Sequence, residues 1–340
     1  MARRISFCGR DDGSGRCRGV VHLQTQGVDI TMTRYVLTRL LQAVPTLLLI
    51  SFLTFIMGLL APGDPIRMIL GERNDPQAVA QVRHALGLDR PWYEQYARFV
   101  WNAVKGDFGI SLYNRRPVGE ILRESFPATA TLAVLAIMLT VTVGVPAGIV
   151  SAVWHNRLPD RLSMLGVVLG ISVPNFVLAT LLILLFSVQL GWLPVAGWGA
   201  PEYLILPVAV LAARPSASIA RFTRTSMLEA LQQDYIRTAR AKGVPEHLVI
   251  LRHALPNALL PVVTVVGNAF GYLLTGSFIV ETVFAIPGVG YKSIEAILRR
   301  DYPVIQATTL LFAFLFIVVN LVVDIIYTRL DPRVRFGTSR

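Results

Sequence analysis

Few residues in this 340-residue sequence are placed to do chemistry. His247 and His253 share a basic stretch with Arg237, Arg240, Lys242 and Arg252, but they stand six apart. A helix would not bring their rings together as metal ligands, so contact or packing is the better reading. Cys8 and Cys17 lack partner histidines at ligand spacing, and no metal site is expected. Gly106-Asp107-Phe108-Gly109 has one acid and no glycine-rich entry to a helix, which makes it a turn rather than a phosphate loop. No His-Glu-x-x-His, Gly-x-Ser-x-Gly or Walker A string occurs, so the chain is not expected to hydrolyse a substrate or ATP, and no cofactor is implied. The remaining chemistry is binding. Arg214 lies inside an apolar segment, roughly 16 Å below its outer edge at 1.5 Å per residue. A guanidinium at that depth costs about 2.5–3.5 kcal/mol on insertion scales, which predicts that it faces the bundle interior, water or a partner. Asn175 and Asn268 fall near the same depth and could complete a polar ring.

The elements that would hold these residues are set by composition. With 54% hydrophobic residues and a mean hydropathy of +0.56, this is an integral membrane protein. The net charge of +11 and pI near 10.2 could suggest nucleic acid. Basic residues spread between apolar spans are instead what the positive-inside rule produces, and no aromatic-basic platform is present.

Residues 1–31 are rich in Gly, Arg and Asp, lack the apolar run of a signal peptide and read as a disordered extension. The first transmembrane helix falls within 32–60, with Leu40 to Leu60 long enough to span and no small-residue cleavage pattern after it. Residues 61–126 mix charges of both signs with aromatics, Gly and Pro, and read as a small extracytoplasmic domain. Further spans are predicted at Ala128 to Trp154, Met164 to Leu190, Tyr203 to about Arg221 and Arg224, Ala258 to Val280, and Ala307 to Tyr327. Gly267 and Gly271 would let the fifth span approach a neighbour closely. Ile294, Ile297 and Leu298 form an apolar stripe suited to a short helix along the outer interface. Basic residues concentrate in the segments assigned to the cytoplasm, so both termini are placed inside, with 329–340 as a cytoplasmic tail. The expectation is an all-α membrane protein with six transmembrane helices and a core over 127–328.

Between the fourth and fifth spans lies a polar elbow at 234–257. Asp234 opens a short helix from Tyr235 to Lys242, and Gly243 ends it. Pro245 and Glu246 suit the first turn of a second short helix, with Pro256 and Asn257 marking its end. Leu248, Leu251 and Leu255 recur at helical spacing and should pack beneath the membrane body.

A Gly followed at a fixed interval by Leu-Pro, here Gly243 and Leu255-Pro256, resembles the "EAA" loop of binding-protein-dependent ABC importer permeases. The chain departs from the name-giving residues, with Arg237, Thr238 and Ala239 in their place and His253 where Ile is usual. YIRTARAKG followed by LRHALPNALLP, together with ETVFAIPGVGYKSIEAILRRDYP, is similar to the dipeptide, oligopeptide and nickel branch. The resemblance extends from Met32 to nearly the C-terminus. It implies a type I ABC importer permease fold in a bacterial inner membrane, and a heterodimer with a second homologous permease. It also implies one or two cytoplasmic ATPase subunits that hydrolyse the ATP, and an extracytoplasmic substrate-binding protein. By the same resemblance the elbow is the coupling helix, with Tyr235, Arg237, Thr238, Ala239, Ala241, Lys242, Gly243 and His247 as its ATPase-facing residues. Peptides are the first substrate class implied, with nickel and glutathione as alternatives. Arg214 would then meet a carboxylate or backbone carbonyls of a passing peptide. A static hydrogen-bond hub, a pair with the second permease, or a surface position on a shorter span are its other readings. A stand-alone secondary transporter is the alternative of another class, but its paired intramembrane charges and matched discontinuous helices are not evident.

Overall fold

A bilayer offers no water to free backbone groups, so a chain this apolar must close its hydrogen bonds within helices. The computed structural model describes residues 26–60, 77, 80, 81, 84 and 89–330. It divides into two units, Met1–Gln42 and Ala43–Arg340. The first contributes the start of helix α1 (Gln26–Leu60), and the second holds the remainder of the described chain. Because α1 starts at Gln26, residues 26–31 are helical and not part of an unstructured tail. The expectation for residues 1–25 lies outside the described residues, as does that for 331–340.

Among the described residues, five helices are long and apolar enough to cross a membrane, and a bent pair supplies a sixth span. The predicted spans are present, with altered boundaries. The predicted domain at 61–126 lies largely outside the described residues before Asp89. Its described part holds α2 (Trp92–Val104), which packs on the end of α1 through Phe52, Phe55, Tyr96 and Phe99. It ends earlier than expected, because α3 (Val118–Val153) begins ten residues before Ala128. Those first turns carry charge, yet they bury Val118, Ile121 and Leu122 on one side, and that burial extends the helix through Pro127.

The third span is broken. α4 (Leu158–Ser172) and α5 (Asn175–Gln189) meet at 106°. Pro174 has no N–H to donate and holds Val173 in an extended conformation, φ −83° and ψ 122°, so the helix stops there. The pair still crosses the bundle. Asp160 at its start meets Arg224, while Leu178 and Phe186 near its end join the cluster that contains Leu206. Arg224 and Leu206 lie 18 residues apart on α6 (Glu202–Leu231), about 27 Å along the axis.

α6 crosses α3 at close range. A Cβ on Gly144 would stand 2.8 Å from the Ser216 carbonyl oxygen, and one on Gly148 would stand 2.5 Å from that of Ala220. This four-residue glycine spacing does for α3 what Gly267 does for α8 (Glu246–Thr275), where an added Cβ would fall 2.1 Å from Val323 of α11 (Tyr302–Leu330). Gly271, the other glycine singled out on that span, has only ordinary contacts with Phe316 and Val319 of the same helix.

At the end of the bundle away from the elbow, α9 (Phe278–Val283) and α10 (Val289–Arg299) are pinned by Glu281. This fully buried carboxyl group accepts from the Ser277 and Thr129 hydroxyls and from the Tyr291 N–H at 2.9 Å. Ile297 and Leu298 are exposed on α10, as an interfacial stripe requires, and Ser293 and Ala296 face inward.

If the α3–α6 crossing needs bare glycine, Gly148→Val should destabilise the protein by about 1–3 kcal/mol or more through overpacking. Thermal unfolding in detergent measures it. Gly166→Val is the control, since nothing lies within 4 Å of a Cβ there. Equal unfolding midpoints for the two variants would refute the close crossing.

Candidate functional site

The elbow grows directly out of α6. After Leu231 two glutamines turn the chain, and α7 (Asp234–Ala241) begins with Gln233 as its N-cap residue rather than Asp234. Asp234 sits one position inside, where its charge still suits the helix N-terminus, and pairs with Arg237 at 3.5 Å. The helix ends as Gly243 predicts. Gly243 takes φ +72°, its N–H donates to the Arg240 carbonyl at 3.0 Å, and the Val244 N–H donates to the Ala239 carbonyl at 3.3 Å. These two bonds form a Schellman cap, completed by burial of Ala239 beside Val244. Across the turn Arg240 grips Glu246 in a two-pronged pair at 2.6 and 3.1 Å. Both side chains are about half exposed, so the pair sets the angle of the two arms more than it adds stability.

The second arm differs from expectation. Pro256 does not end it: α8 runs from Glu246 through Thr275, with Val249–Ala254 wound as a π-helix. Pro256 then lies in the first turn of the α-helical part, where a missing N–H is tolerated. The wider turn also rotates the buried face. Val249 and Ala254, five apart, point inward with Ala258, while Leu248 and Leu251 are 39% and 56% exposed. Helical spacing of 3.6 assigned those leucines to the interior, and the π-helix moves them out.

Of the eight predicted contact residues, Tyr235, Arg237, Thr238, Ala241, Lys242, Gly243 and His247 are exposed. Ala239 does not. It is 7% exposed and packs with Ile236, Met227, Ala230 and Val249 beneath the elbow.

Above this cluster a buried ion pair, which sequence reasoning missed, fixes α6 to the α3–α4 turn. Asp160 is 3% exposed and receives Arg224 Nε at 2.8 Å and Nη2 at 2.9 Å, the Asn156 N–H at 2.8 Å, and the Ser151 hydroxyl. Asn156 adopts φ +62° to deliver its N–H. The available signal was the lone acid in HNRLPDR at the same membrane boundary as Arg224.

The predicted polar ring is not assembled within this chain. Asn175 is the first residue of α5, Asn268 is exposed on α8, and Arg214 is exposed on α6. None of the three bonds to another described residue, which removes a hydrogen-bond hub inside the chain as the role of Arg214.

Two family models together span most of this chain. Residues 144–336, more than half of the chain, match the model for the binding-protein-dependent transport system inner membrane component. Residues 32–133 match the model for the N-terminal part of such components. The chain belongs to this family. It is 49% identical over 305 residues to the glutathione transport system permease protein GsiC of Escherichia coli (strain K12), covering 90% of this chain and 100% of that protein. The same figures hold for GsiC of Shigella dysenteriae serotype 1 (strain Sd197). The fold is that of an importer permease. A structure of the MetNI methionine ABC transporter in inward-facing conformations aligns over 62% of this chain and 96% of its own, with a TM-score of 0.54 and 19% identity. The protein is thus a transport component, an ABC importer permease of the inner-membrane family.

A side chain at Gly243 would face two separate tests, space and backbone conformation. No atom lies within 4 Å of an added Cβ, so bulk alone meets nothing in this chain. The left-handed backbone is the constraint. Gly243→Asn should therefore keep more uptake than Gly243→Val, because Asn tolerates that conformation. Equal loss in both variants at equal abundance in the membrane would refute this account.

Proposed function

We propose that this chain pairs with a second homologous permease to form the pathway by which small peptides enter the cell, glutathione being the first candidate. The full-length identity of 49% to glutathione permeases is the observation that carries the substrate reading. In this reading ATPase subunits dock on the exposed side of α7, and both termini and the elbow lie in the cytoplasm. The basic residues of the elbow and of the α3–α4 turn support that orientation. An extracytoplasmic binding protein delivers the substrate to the opposite side.

The docking surface is supported by what the elbow leaves outside. Tyr235, Arg237, Thr238, Ala241 and Lys242 project from a helix whose other side is anchored by Ile236 and Ala239. A force on α7 reaches α6 through Met227 and Ala230, and reaches α4 through Arg224 and Asp160. ATP binding by the partners would in this way turn the bundle between inward-facing and outward-facing states.

Two measurements test the proposal. A cysteine at Ala241, with cysteines in the ATPase groove, should cross-link in the active complex, whereas one at Ala239 should react only weakly. Failure of every Ala241 pair would remove the docking assignment. For the substrate, a deletion strain should lose uptake of labelled glutathione or dipeptides and regain it with the gene. Loss of nickel uptake alone would overturn the peptide reading.

A further inference from the structure

The side of α6 turned away from α3 carries one cation at mid-span, Arg214, and another nearer the elbow, Arg221. The α3 contacts of α6 run through Ala212, Ser216, Ala220 and Thr223. At 100° per residue, Arg214, Arg221 and Thr225 lie roughly half a turn from that contact and within about 40° of one another. All three are exposed. Arg214 and Arg221 stand about 10 Å apart along the axis, at 1.5 Å per residue. Neither is paired with a carboxylate among the described residues; the one ring contact is Arg221 over Phe222 at 5.8 Å.

Faces suited to lipid look different in this chain. α4 exposes Leu162, Leu165, Val168 and Leu169, each more than half accessible, and α11 exposes Phe314, Phe316 and Val322. A pair of unneutralised guanidinium groups two turns apart fits neither lipid nor a dry helix contact, because each must keep water or an anion beside it. Planar forked donors match carboxylates in particular.

We propose that Arg214 and Arg221 are successive binding positions for the carboxylate of a substrate in transit, so that the pathway favours small anionic peptides over uncharged ones. This inference rests on the small-peptide reading and adds the charge of the cargo. The substrate carboxylate leaves water at Arg214, is held by its paired N–H donors, and is passed two turns along α6 to Arg221. Repeated weak sites of this kind let an ion enter and leave.

The test uses the complete transporter, with both permeases, ATPases and binding protein, in proteoliposomes. Initial uptake is compared for glutathione and for its diamide, which lacks both free carboxylates. The wild type should prefer glutathione, and Arg214→Gln should lower that preference at least about tenfold, the scale expected when one partner of a hydrogen-bonded charge pair is removed. Arg214→Lys should restore part of it. Arg221→Gln is a second, independent variant with the same expected direction. An unchanged preference in both glutamine variants, with glutathione still transported, would overturn this inference alone. Loss of the assembled complex in Arg214→Gln would assign that arginine to the second permease and overturn its place in the pathway. No uptake of either peptide by the wild type would overturn the small-peptide reading and this inference with it.

Discussion

The close crossing of α3 and α6 sets the position of everything that bears on transport. Apolar helices gain little from the hydrophobic effect inside a lipid bilayer, so their association rests on packing and on the approach of backbones. Gly144 and Gly148 permit that approach, and Ser216 and Ala220 present their carbonyls to it. α6 is thereby held as a rod. Its far end lies in the cluster of Leu206, Val210 and Leu211, its middle carries Arg214 and Arg221, and its last turns, at Met227 and Ala230, form the seat of the elbow.

Polar knots hold each end of this arrangement. Asp160 and Arg224 join three segments on the elbow side, and Glu281 joins three on the other. Removing one partner of a buried ion pair costs about 3–5 kcal/mol, yet the intact pair adds little beyond an apolar substitute. The contribution of such pairs is therefore geometric. They fix which residues meet, and they tie the α3–α4 turn to α6. Close-packed interiors deform little, so a displacement of α7 is carried as a rigid shift rather than absorbed locally.

Hydropathy and punctuation made much of this legible. The six spans follow from apolar length, and the end of α7 follows from Gly243. The rest depended on facts that one-dimensional periodicity does not contain. A 3.6-residue repeat cannot register the π-helix at Val249–Ala254, so Leu248 and Leu251 were assigned inward and emerged outside. The resemblance makes Ala239 a contact residue and alanine carries no mark of its side, but the anchoring cluster below the elbow takes that position. Pro174 stops one helix, but the 106° break also needed α6 and α9 as surfaces for the second half to follow. Asp160 and Glu281 acquire their meaning only from partners 64 and 152 residues away.

Three arginines on one helix show how position decides the role of a charge. Arg224 meets Asp160 and becomes part of the frame, its side chain 21% exposed. Arg214 and Arg221, on the same helix within ten residues of it, have no carboxylate in reach among the described residues. A helix of this length could have placed aliphatic residues there, as α4 does on its exposed side. An unneutralised charge at mid-span needs water, an anion or a partner group beside it, and of the three arginines Arg214 is the one that stands there. α3 lies behind α6 and Gly170 of α4 stands against Ala213 and Ala217 at its flank, which leaves Arg214 on a face that neither of these helices covers. In the proposed two-permease assembly, that is the face left for the second subunit or the substrate to meet.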